Sequence, residues 1–222
     1  MRIAISKCLE AVTGSSLGRA ALLAGLLGGL LAAPVAAPAQ TFASLPATPS
    51  VIASGPAAKP IVAWVAFCES YAAECAVDRT EPATIALDAA TWNTIVSVNR
   101  RVNKAIRAVT DMDHLHVADR WDLAEDGSGD CEDFQLLKRK LLAEAGLPRR
   151  AMRMTVVIDE KGEGHAVLTL ITDRGDFILD NKTNAVQSWR QTGYTFIKRE
   201  SQDTQAWVSL GRATSPVTTA NR

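Results

Sequence analysis

The stretch GSGDCEDFQLLKRKLLAEAGLP, residues 127–148, decides how this chain is organised. Gly127 and Gly129 allow a tight entry, Asp130 is a good N-cap, and Glu132 and Asp133 suit the positive end of a helix. Phe134, Leu137, Leu141 and Leu142 recur at three- and four-residue steps, and Gly146 and Pro148 end the run. The pattern predicts a helix over 131–148, with Lys138, Arg139 and Lys140 favouring its C-terminal half. Cys131 then lies in the first turn, where outward-pointing N–H groups stabilise a thiolate and offer donors to an oxyanion. Yet Asp130, Glu132 and Asp133 surround it, and carboxylates oppose that negative charge. Either Cys131 is unreactive or something offsets the acids.

Upstream, LDAATWNTIVSVNRRVNKAIRAVTD (87–111) carries Trp92, Ile95, Val96, Val98, Val102, Ile106 and Val109 at helical spacing, with Asp88 as cap. Downstream the period changes to two. MRMTVVID (152–159), HAVLTLIT (165–172), DFILDN (176–181), YTFIKRE (194–200) and QAWVSL (205–210) read as strands, with DEKGEG and TDRGD as turns. Helices followed by an antiparallel sheet define an α+β fold in which the Cys131 helix packs on the sheet.

The first 39 residues have the make-up of an export signal. Arg2, Lys7 and Arg19 lead into AALLAGLLGGLLAA (20–33), and VAA (35–37) and APA (37–39) are small-residue cleavage sites. The apolar run is short for a membrane span of ~20 residues, which favours removal and a periplasmic protein with no stable span. Residues 40–60, with Pro46, Pro49, Pro56 and Pro60 among small polar residues, read as a flexible linker. Residues 61–212 form the domain, and 213–222 a disordered tail. Hydrophobic residues make up 47% of the 222, enough for a real core, and the 24 basic and 24 acidic side chains cancel. That balance gives no electrostatic case for nucleic acid. Cys8 leaves with the signal, so Cys68, Cys75 and Cys131 remain. Cys68 and Cys75, seven apart in FCESYAAEC, suit a small disulfide loop, leaving Cys131 as the odd thiol of the processed chain.

His165 opens one strand and Asp180 closes the next, so the intervening turn brings both to the same end of a hairpin. Asp180 could orient the His165 ring, and His165 could serve Cys131 as base. His114 and His116 form an H-x-H, but an alternating pair in a polar loop is usually solvated, and no role is assigned to it. Asp126, Asp130, Glu132 and Asp133 have a bland reading as helix caps. Their other reading is a set of oxygen ligands for calcium, which would neutralise the charge opposing a thiolate.

In GSGDCEDFQLLKRKLL (127–142), GHAVLTLITDRGDFILDN (164–181) and VQSW (186–189), the chain resembles the bacterial transglutaminase-like cysteine proteinases. The likeness extends more loosely over most of residues 60–210. It implies a papain-like, transglutaminase-like fold and a triad of Cys131 as nucleophile, His165 as base and Asp180 as orienter. It also implies calcium, held by the acids beside the cysteine, Asp130 and Glu132. Well-studied relatives are periplasmic proteases that clip large surface adhesins near the N-terminus, so the expected partner is a protein of that kind. DRWDLAEDGSG before the cysteine departs from the family pattern, and the Cys68/Cys75 pair is an addition to it. The resulting expectation is an exported cysteine endopeptidase. Two alternatives stay open: a transglutaminase-type acyl transferase, in which an amine replaces water, and a calcium-responsive binding module with an idle triad.

Overall fold

In a computed structural model, residues 40–45 and 49–210 are described. The predicted signal, and the tail from residue 211, lie outside them. The helix expected over 87–111 is α3 (Ala89–Ala105), and its cap Asp88 accepts from Thr91 N at 2.7 Å. It stops early because the next residues are claimed elsewhere: β2 (Arg107–Ala108) pairs in parallel with β3 (Ser128–Gly129). Arg107 N donates to Gly127 O at 2.9 Å and Val109 N to Gly129 O at 3.0 Å. This tertiary pairing outweighs the helical pattern of Ile106 and Val109 and fixes the chain just ahead of Cys131. The Cys131 helix is α5 (Cys131–Glu144).

All five expected strands are present: β4 (Met152–Ile158), β5 (Gly164–Thr172), β6 (Gly175–Leu179), β8 (Thr195–Glu200) and β9 (Trp207–Leu210). Two more complete the sheet, β1 (Ser54–Ala58) and β7 (Gln187–Ser188). The order is β1-β9-β8-β4-β5-β6-β7, antiparallel throughout. The central strands are buried on both faces, which explains their nearly continuous apolar runs. One face packs against α3, α5 and α1 (Val62–Ser70) through Trp64, Phe67, Trp92, Phe134, Leu136, Leu142, Leu168 and Trp207. The other face gathers Ile52, Val157, Val167, Ile178, Phe196 and Leu210, with Trp189 and Tyr194 at the margin.

One expectation is corrected here. The 40–60 linker contains a paired strand, and residues before it are also tied down. Ile52 is buried, its N–H donates to Asp176 Oδ2 at 2.9 Å, and Trp189 Nε1 donates to Ser50 Oγ at 2.9 Å. The reason is the apolar second face, which this segment covers, and the edge of β9, which β1 completes. Lys138 and Arg139, read only as bases favouring the C-terminal half of the helix, are buried. Arg139 Nη1 reaches Glu200 Oε2 at 2.7 Å, and Glu200 also accepts from Trp64 Nε1 at 2.6 Å and Met154 N at 2.8 Å. Burial opposes the charge on Glu200, but Arg139 and Arg153 hold its carboxyl below the usual range.

Cys68 and Cys75 are linked, closing the corner between α1 and α2 (Ala72–Cys75). Arg139 Nη2 donates to Glu74 O at 3.0 Å, which anchors the loop to α5, and Arg149 pairs with the Glu74 carboxylate. Replacing both cysteines by serine is expected to cost about 2–3 kcal/mol, because so short a loop removes limited entropy from the unfolded chain. Urea unfolding of the two proteins measures this. Coincident midpoints would mean that the arginine contacts alone hold the corner.

Candidate active site

The entry to α5 is built by a reciprocal cap. Asp130 N donates to Asp133 Oδ2 at 3.3 Å, and Asp133 Oδ1 accepts from Asp122 N at 2.8 Å. Gly129 is required here, since a Cβ on it would stand 2.5 Å from Asp133 Oδ2, and Gly127 has a φ of +79°. Cys131 is therefore the first residue of the helix, against the start of β5. Ala166 N donates to Cys131 Sγ at 3.4 Å, so the sulfur lies beside the residue that follows His165.

The hairpin of β5 and β6 brings His165 and Asp180 together, both buried, with His165 Nε2 at 2.9 Å from Asp180 Oδ1. Lys182 N donates to the same oxygen at 3.0 Å, and Tyr194 OH donates to Oδ2 at 2.7 Å. Burial raises the Asp180 pKa, but the hydrogen bond and charge of His165, with the other two donors, outweigh it and hold the group at about 2. An ionised Asp180 only accepts, so Nε2 carries the proton and Nδ1 is left as the basic nitrogen. The backbone of this loop is fixed from α3: Asn103 Nδ2 donates to Asp180 O and Thr183 O, each at 2.9 Å.

The acids beside Cys131 do two jobs. Asp133 belongs to the cap, as the bland reading holds. Asp130 and Glu132 also face a convergence of carboxylates drawn from the preceding loop. Oxygens of Asp111, Asp119 and Glu132 lie within 4.8 Å of one another, and so do those of Asp111, Asp130 and Asp133. Asp119 Oδ1, Asp130 Oδ1 and Glu132 Oε1 are buried with no hydrogen-bond partner. Burial pushes the Asp119 and Asp130 carboxyls up to about 6, neighbouring acids adding to it, and raises Glu132 and Asp133 further. Orphaned, buried, all-oxygen donors of one sign fit a hard divalent cation such as calcium. Glu132 Oε2 is 3.2 Å from Cys131 Sγ, so any charge placed here is felt at the sulfur. Asp126 is not part of the cluster and pairs with His114 at 2.9 Å, while His116 turns to Met112 O at 3.3 Å.

Sequence reading missed Asp111, Asp119 and Tyr194. The first two lie in TDMDHLHVADRWD, where the two histidines drew attention away from the acids. Asp111 is placed by a short helix, α4 (Asp111–His114), whose cap Thr110 accepts from Asp113 N.

These features place a cysteine at a helix start beside a buried His–Asp pair on an α+β scaffold. The chain belongs to the bacterial transglutaminase-like cysteine proteinases, whose family model matches residues 53–215. It is thus a cysteine peptidase with a transglutaminase-like, papain-like fold. Among solved structures it is similar to Legionella pneumophila LapG in three forms. The calcium-bound form is 22% identical over 55% of this chain and 72% of that one, with a TM-score of 0.47. A second LapG structure is 22% identical over 58% and 73%, with a TM-score of 0.46. The EGTA-treated form is 21% identical over 56% and 69%, also with a TM-score of 0.46. No curated protein matches the chain significantly. No helix among the described residues is long and apolar enough to cross a membrane.

Proposed function

We propose that this peptidase is exported to the periplasm and hydrolyses amide bonds of a protein substrate through Cys131, His165 and Asp180. The observation that supports it best is the contact of Ala166 N with Cys131 Sγ, next in sequence to a His165 ring held by Asp180. His165 Nδ1 takes the proton of the reduced thiol, and the thiolate adds to the carbonyl carbon. Negative charge then develops on the carbonyl oxygen beside the first N–H groups of α5, which stabilise it. His165 returns its proton to the departing amine, leaving a thioester on Cys131. A water adds with His165 again as base, and the free acid leaves with the thiolate restored. Asp180 keeps the ring in one tautomer and supports the imidazolium.

Asp111, Asp119, Asp130 and Glu132 would hold calcium. When bound, the ion offsets the negative charge beside the thiolate and orders the loop before α5. The family resemblance points to a large surface adhesin as the substrate. Comparing the proteins released by wild-type cells and by cells carrying Cys131→Ala tests this. A surface protein released only by the wild type, with a new N-terminus, is expected; identical released sets would contradict it. Supplying an amine donor and finding cross-linked product would instead mark an acyl transferase.

A further inference from the structure

Tyr194 stands just before β8, where the register aligns Thr195 with Ile158 of β4 and Ile158 with Gly164 of β5. The next row aligns Phe196 with Val157 and Val157 with His165, so Tyr194, two residues before Phe196, lies near the His165 ring. Its ring meets the imidazole edge-on, with centroids 5.8 Å apart and planes at 84°. Its hydroxyl donates to Asp180 Oδ2 at 2.7 Å. Oδ1 of the same carboxylate already serves His165 and Lys182 N, so the hydroxyl is what stops Asp180 from turning about its own axis. The outer side of Tyr194 is fixed too: Lys182 Nζ is 5.9 Å from its ring centroid and is tied to Asp159.

We infer that Tyr194 is a positioning residue for the reaction, acting on both members of the His165–Asp180 pair and on nothing in the substrate. It pins the second carboxylate oxygen and walls the imidazole face, so the ring is already aimed at Cys131. Burial and the neighbouring Asp180 charge raise the Tyr194 pKa, so the hydroxyl remains a donor at any working pH. This role rests on the triad proposed above.

The test needs no natural substrate. In reduced protein, the rate at which iodoacetamide alkylates Cys131 is followed by peptide mass, and the downfield ring N–H proton of His165 by NMR. Tyr194→Phe keeps the ring and removes only the hydroxyl. It is expected to slow alkylation about tenfold, the worth of one hydrogen bond to a charged group. It should also broaden the N–H signal through faster exchange with water, with the melting temperature little changed. Because Tyr194 acts through Asp180, the Tyr194→Phe/Asp180→Asn protein should react no more slowly than Asp180→Asn alone. Wild-type alkylation and an unaltered N–H signal in Tyr194→Phe, or losses that multiply in the double variant, would overturn the assignment. If Asp180→Asn alone left both readouts at wild-type values, the triad itself would have failed.

Discussion

Cys131→Ala protein is expected to hydrolyse nothing while keeping the wild-type circular dichroism spectrum. The sulfur sits at the one point where the α5 N-terminus, Ala166 N and the end of the His165 strand meet. His165→Ala should cost nearly as much, on the order of a thousandfold or more, because the thiol then lacks its base. Asp180→Asn should leave a small residue of activity. An asparagine at 180 keeps the shape but offers one acceptor where the carboxylate now serves three donors, so the ring loses its preferred tautomer. The same carboxylate carries a pH signature. Its folded pKa, about 2, lies below that of an unfolded aspartate. Its contribution to stability is therefore complete above about pH 4 and is lost as pH falls toward 2. Acid unfolding of wild type and Asp180→Asn should converge over that window. Equal activities of wild type and Cys131→Ala would remove the triad.

Calcium removal is expected to be the second large effect, and its size should depend on pH. Burial raises Asp119 and Asp130 to about 6, with Glu132 and Asp133 raised as well. A carboxyl raised on folding holds its proton more tightly in the folded state. Without an ion, its favourable contribution is complete below about pH 4 and fades as pH rises through about 6 and beyond. Calcium competes with those protons, so its stabilisation should be near zero at about pH 4.5 and grow through neutrality. At about pH 8, EGTA should lower the melting temperature by roughly 5–10 °C and suppress activity, both restored by calcium. Asp130→Ala and Glu132→Ala protein should not respond. If wild type ignores EGTA at pH 8, the acids are caps alone, and Asp130→Ala should cost about 1 kcal/mol.

Much of the scaffold was legible because its signals are local. Asp88 caps α3, Gly146 follows α5, and the five strands keep their predicted places to within two residues or so. The Cys68–Cys75 bond was legible from spacing and the reading of an oxidising compartment. What could not be read was decided by partners far away in the chain. Arg139 reads as a base suited to a helix dipole, and its burial is explained by Glu200 and the Glu74 carbonyl. Pro56 and its small neighbours suggest a linker until β9 supplies an unpaired edge for them. Asp111 and Asp119 gain meaning only when the β2–β3 pairing folds their loop over Glu132. Tyr194 was read simply as a strand residue, and its hydroxyl acquires a role through the register of β4, β5 and β8.

In the proposed reaction Cys131 attacks an amide carbonyl with His165 as its base. The most direct measurement is the mass of the reduced protein after exposure to a peptide vinyl sulfone, an electrophile that a catalytic thiolate captures covalently. One adduct on Cys131 is expected in the wild type, formed far faster than in His165→Ala protein and absent after denaturation before labelling. An adduct that forms equally fast in His165→Ala, or none at all on a folded and reduced protein, would contradict it.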